Sequence, residues 1–97
     1  MPDKPETPLG PYIDHTNLRP DTTAGDIEKL CTEAIEHQLF AVCVNGCWVQ
    51  NAWNHLADTD ISIATVVGFP FGASDSDSKR YETEAAVDNG VHEIDMV

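Results

Sequence analysis

The chain has 97 residues, 41% of them hydrophobic, enough for one small domain but not for two well-buried cores. Seventeen acidic against five basic side chains give a net charge of −12, which excludes a basic surface for nucleic acid or an anionic membrane. No segment approaches the ~20 apolar residues of a bilayer span, the N-terminus lacks the apolar stretch of a signal peptide, and three cysteines form no disulfide framework, so a soluble cytoplasmic protein is expected.

In chain order, residues 1 to 11 carry Pro2, Pro5, Pro8 and Pro11 and few apolar side chains, and read as an extended, poorly ordered tail. The folded domain is expected from residue 12 to residue 97. After the short apolar start at Tyr12, Pro20 disfavours helix at Arg19 and marks a turn. Thr23 is a candidate N-cap with Asp26 three residues on, and Ile27, Leu30, Cys31, Ala34 and Ile35 recur at helical spacing, which predicts a helix over about 24 to 37. Phe40 to Val44 is a continuous apolar run, as in a strand covered on both faces of a parallel sheet, and Asn45-Gly46 ends it. Trp48, Val49, Ala52, Trp53 and Leu56 mark a second helix with one apolar stripe, and Ile61 to Val67 a second strand leading into the turn GFPFG. Ser74 or Ser76 is expected to cap a third helix with Tyr81, Ala85 and Val87 inward, ended by Asn89-Gly90 in a left-handed cap. Glu93 to Val97 is a third strand signal.

Three parallel strands alternating with helices leave unpaired edges and apolar strand faces, so the segment reads as part of something larger, either a (β/α)₈ barrel of ~250 residues or an open doubly wound sheet. In both, site residues sit at the C-terminal strand ends and the loops after them. Those positions hold Cys43, Asn45, Thr65, the GFPFG turn and Asp95, with Asp14-His15-Thr16 able to fold across one mouth. Asp95 alternates with Ile94 and Met96 in a strand expected to be buried, where an unpaired charge is costly, so it is either a structural ion pair or cap, or a carboxylate poised for proton transfer or for pairing with a catalytic lysine. Cys43 in an apolar strand is either packing or a pocket residue. The three cysteines and four histidines have no metal-ligand spacing, His37 and His55 fall at polar helix positions, and GFPFG is neither a dinucleotide fingerprint nor a P-loop. Lys79 and Arg80 open the third helix, where an exposed ion pair with Glu82 or Glu84 is expected.

Taken together, YIDHTNLRPD, DIEKLCTEA, FAVCVN, TVVGFPFG, KRYETEAAV and GVHEIDMV resemble, in order and spacing, the N-terminal part of the 2-deoxyribose-5-phosphate aldolase family. The resemblance implies the front of a TIM barrel with an extra N-terminal helix, and a class I, Schiff-base aldolase that uses no metal or organic cofactor. It implies a sugar-phosphate substrate and allows a homo-oligomer of the full-length enzyme. Asp95 is implied as the acid and base of a proton relay, Asp14 as a member of the same polar network, Cys43 as a lining of the aldehyde pocket, and Thr16 as its neighbour. The family's two catalytic lysines lie on later strands, whereas this chain has only Lys4, Lys29 and Lys79, so the chain alone is expected to be inactive. Gly46 where the family commonly has proline, and LRP in place of LKP at Arg19, are departures confined to loops. The dispersed acidic residues fit a salt-adapted member, and equally an ordinary acidic protein. The alternative is a non-catalytic short protein that docks on a partner through its strand edges.

Overall fold

A computed structural model describes residues 13–97, so the expected tail over residues 1 to 11 lies outside the described residues. The element order is β1 (Asp14–Asn17), α1 (Ala24–His37), β2 (Ala41–Val44), a short 3-10 turn (Gly46–Trp48), α2 (Val49–Leu56), β3 (Ser62–Val67), α3 (Ser76–Asp88) and β4 (Glu93–Met96). All four strands are parallel and lie in the order β1-β2-β3-β4.

The expectation of three strands is therefore corrected to four. Asp14–Asn17, read as loop, pairs with β2 in the register Asp14↔Ala41 through Asn17↔Val44. Its sequence, DHTN, has no apolar residue to give it away, because as an outer strand it is only half-covered. Helix α1 is consequently the crossover between β1 and β2, and no helix precedes β1 among the described residues. Each strand lies beside the next one in sequence, without the reversal of order that defines a doubly wound sheet, which leaves the barrel as the architecture of which this is a section.

Helix α1 starts where the sequence says. The Thr23 hydroxyl accepts from the Asp26 amide at 3.2 Å and the Asp26 carboxylate accepts from the Thr23 amide at 3.0 Å, a reciprocal capping box. Ile27, Leu30, Cys31 and Ala34 of α1 and Val49, Ala52 and Leu56 of α2 bury against Val42, Val44 and Ile63 of the sheet. Both helices thus share one face of the sheet in one continuous core. Burying each large aliphatic side chain there contributes roughly 1.5–3 kcal/mol, so this side holds the fold together. The buried Thr65 belongs to it too, its hydroxyl donating to the Val44 carbonyl at 2.7 Å. It thus stands on the helix side of the sheet, away from the open face.

Helix α3 departs from expectation in two ways. Its cap is Asp75, whose carboxylate accepts from the Ser78 amide at 2.7 Å, and not Ser74 or Ser76. A carboxylate at this place also meets the positive end of the helix dipole, and the bond from Ser78 holds the Asp75 carboxyl below its ordinary range. Its inward residue is Ala86, whereas Tyr81 is 76% and Val87 57% exposed and Ala85 is exposed as well. The helix ends with Asn89 at φ −87 and Gly90 at φ +101, so only the glycine takes the left-handed conformation. A Cβ on Gly90 would come within 2.5 Å of Trp53 Cδ1, which bars any larger residue.

Phe69, Phe71, Met96 and Val97 are likewise exposed, all near the C-terminal ends of β3 and β4. With this much apolar surface uncovered on one side, the 97-residue chain on its own is expected to bind a hydrophobic dye and to lose its circular dichroism gradually on heating. A sharp, two-state thermal transition in the purified chain would contradict this.

Candidate active site

Alternation of side chains along a strand assigns each residue to a face. On the face away from α1 and α2 the register aligns Thr16, Cys43, Ala64 and Glu93 in one row across the four strands. One row below lie Asp14 and Ala41, and one row above Val66 and Asp95. Cys43, Ala64 and Val66 form a small buried cluster with Leu18 packed against it, separate from the helix-side core. The four residues singled out from sequence, Asp14, Thr16, Cys43 and Asp95, therefore all project from this open face.

They are not all in contact. Asp14 on β1 and Asp95 on β4 are separated by three strand spacings and by four residues of register, roughly 20 Å across the sheet. Cys43 lies between them, and both act on it. Burial first, then the negative charges of Asp95, Asp14 and Glu93, push its thiol up to about 11. The thiol stays protonated at neutral pH, and Cys43 is a small, buried side chain of this face. Asp95 is exposed, contrary to the expectation of a buried strand, since among the described residues β4 has a neighbour on one side only. Asp14 and Thr16 are exposed for the same reason at the other edge. Glu93 was not foreseen as a neighbour of this set, although stepping back two residues from Asp95 would have found it.

The loops at the C-terminal strand ends are ordered by local hydrogen bonds. The Asn17 side-chain carbonyl accepts from the Arg19 amide at 3.2 Å and the Thr22 hydroxyl at 2.8 Å, closing the turn around Pro20. In the GFPFG turn Gly68 and Gly72 have φ of +74 and +69, the Gly72 amide donates to the Gly68 carbonyl at 2.7 Å, and the Gly68 amide donates to Glu82 Oε1 at 3.0 Å. A Cβ at either glycine would press on the backbone of Val97, at 3.0 Å for Gly68 and 2.9 Å for Gly72. At Gly46 it would meet open space, so nothing in the fold requires glycine there. The side chain of Lys79 runs alongside Gly68, and the ion pair at the start of α3 is Arg80 with Asp77 rather than one to Glu82 or Glu84. On the helix side, His15 Nε2 and Glu33 Oε1 lie 2.8 Å apart, tying β1 to α1, a link between β1 and α1 that the sequence did not suggest. Among the described residues no group of three His, Cys, Asp or Glu side chains is placed to hold a metal ion, and no helix is long and apolar enough to cross a membrane.

With this geometry in view, the chain was compared with known proteins. No protein-family model matches it. Over 89 residues it is 54% identical to the deoxyribose-phosphate aldolase of Natranaerobius thermophilus and 51% identical to that of Bdellovibrio bacteriovorus, in each case covering 92% of this chain and 40% of the relative. These relatives, at about 50% identity, are named deoxyribose-phosphate aldolases. Among solved structures, one from Coccidioides immitis, provisionally assigned as a deoxyribose-phosphate aldolase, superposes with a TM-score of 0.92 at 34% identity over 99% of this chain and 38% of its own. The tetrameric deoxyribose phosphate aldolase of Aeropyrum pernix, 24% identical with a TM-score of 0.86 over 91% of this chain and 38% of its own, bears on the fold alone. The chain thus spans about 40% of the length of the relatives it matches, as a section of their barrel.

The thiols give a direct check on the site. Burial also pushes Cys31 up to about 11, while Cys47 is exposed. Iodoacetamide at neutral pH is expected to modify Cys47 first and to leave Cys31 and Cys43 until the protein unfolds. Both buried thiols bind their proton more tightly in the folded state than at the ordinary 9.0, so the stability they contribute is intact below pH 9 and falls as pH rises from there towards 11. Peptide mapping of the labelled protein and denaturation curves over that range measure both effects.

Proposed function

We propose that this chain is the first part of a class I aldolase barrel that reversibly cleaves 2-deoxy-D-ribose 5-phosphate to D-glyceraldehyde 3-phosphate and acetaldehyde. The observation that carries the reading is the placement of Asp14, Thr16, Cys43 and Asp95 on one open face of a parallel sheet, in a chain whose sequence relatives are named deoxyribose-phosphate aldolases. In this chemistry a lysine amine, its pKa lowered by a second lysine nearby, attacks the sugar carbonyl and, with loss of water, forms a Schiff base that draws electrons from the breaking carbon–carbon bond. Asp95 takes and returns the protons that the steps require, Asp14 belongs to the same polar network, Cys43 lines the pocket for the small aldehyde, and Thr16 stands beside it.

The charges on the open face favour this reading. Its strand positions carry the carboxylates of Asp14, Glu93 and Asp95 and no lysine or arginine. Once such a face is enclosed, three uncompensated carboxylates are costly, and a lysine pair is the countercharge a Schiff-base enzyme would bring. Lys29 and Lys79 belong to helices α1 and α3, and Lys4 lies outside the described residues. We therefore read the Schiff-base lysine as belonging to sequence beyond these 97 residues, and the chain alone as inactive.

Borohydride trapping with 2-deoxyribose 5-phosphate, followed by intact mass, tests this on the 97-residue chain beside the protein from the complete reading frame. An adduct on the longer protein alone is expected. An adduct on the short chain would make one of its own lysines reactive and refute the account of the missing nucleophile, and none on either would refute the Schiff base. In the longer protein Asp95→Asn is expected to lower turnover by about a hundredfold or more with an unchanged circular dichroism spectrum. Near-normal turnover would remove Asp95 from the mechanism.

A further inference from the structure

Among the described residues strand β4 is four residues long and takes its register from β3, and of its side chains only Ile94 is half-buried. Sliding it by one residue would turn Asp95 to the helix side and bring Ile94 and Met96 to the open face. At its C-terminal end the Val97 amide donates to the Val67 carbonyl at 2.8 Å, an ordinary ladder bond. The other end is different. The His92 amide donates to the Ile63 carbonyl at 2.7 Å, while the His92 ring nitrogen Nδ1 accepts from the Ile63 amide at 2.9 Å, so one residue occupies both backbone groups of Ile63.

In a parallel ladder the two backbone groups of a residue bond to different residues of the neighbouring strand, and the acceptor for the Ile63 amide would come from the chain just before His92. That chain turns away at Gly90, φ +101, to end α3, and the Val91 amide is engaged with the Ala86 carbonyl at 3.2 Å. The imidazole stands in for the missing carbonyl. Ile63 is buried in the helix-side core, where an unpartnered amide would be penalised.

We infer that His92 is a positioning residue, whose side chain and backbone together clamp Ile63 and thereby hold Asp95 on the open face beside Val66. This rests on the proposed role of Asp95. In the protein from the complete reading frame, His92→Leu removes the ring acceptor, and His92→Asn restores one, with Oδ1 where Nδ1 stood. His92→Leu is expected to lower kcat about five- to tenfold with KM within about twofold and to speed exchange of the Ile63 amide by about tenfold, while His92→Asn returns both to near wild type. Wild-type kcat in His92→Leu, or a His92→Asn as impaired as His92→Leu, overturns the inference. Where His92→Leu yields no folded protein, wild-type turnover in His92→Asn supports the clamp and impaired turnover overturns it. Should Asp95→Asn keep full turnover, the catalytic reading fails on its own; Ile63 exchange then decides the clamp, which is supported if only His92→Leu exchanges fast and overturned if all three proteins match.

Discussion

Everything in this structure depends on the two-residue alternation of a parallel sheet with one face under helices. Helices α1 and α2 draw Val42, Val44 and Ile63 to their side, and the intervening residues have no choice but to face the other way. The register then carries that choice from strand to strand, so that packing on β2 and β3 decides where Asp14 on β1 and Asp95 on β4 point. A core that touches neither carboxylate thus sets the geometry of both.

The two faces differ in what they demand of their side chains. On the helix side polar groups are few and satisfied, as with Thr65, and the apolar side chains form one continuous core. On the open face small residues, Cys43 and Ala64, sit low between longer polar neighbours, and three carboxylates crowd a strip one or two strands wide on either side of the thiol. Such a surface tolerates water but not simple burial under an apolar layer. Whatever encloses it has to bring positive charge or accept protonated carboxylates. This agrees with an active site better than with a packing interface.

What was legible in the sequence follows from how strongly each segment is buried. The runs AVCV and SIATVV, buried along nearly their whole length, announce themselves as strands, and the Thr23–Asp26 capping box marks the start of α1 to the residue. Segments at the margin are harder. DHTN is a strand because β2 offers it backbone partners, not because of its own side chains, and the same partial cover leaves Tyr81 and Val87 of α3 exposed where a lone helix would be expected to bury them. The site residues could be named from the family pattern, but their common face could not, since that needs the register of four strands. The side on which Thr65 lies needs the register too: a strand end has two sides, and the pairing with Val44 places Thr65 on the helix side.

The placement of the site on strands rather than loops has a mechanical consequence. Asp14, Thr16, Cys43 and Asp95 all stand on ladder positions, whose mutual distances vary only as far as the sheet itself can flex. The loops beyond them are tethered separately, the β1–α1 turn by the Asn17 side chain and the GFPFG turn by Glu82 reaching from α3 to the Gly68 amide. A loop change such as glycine at Gly46 can therefore alter access to the face without moving the groups on it. Asp95 itself stands on β4, which among the described residues is joined to β3 by four residues of pairing and by the bonds at either end. In a scaffold whose other site residues are positioned by the core, it is there that a single side chain such as His92 can decide where a carboxylate points.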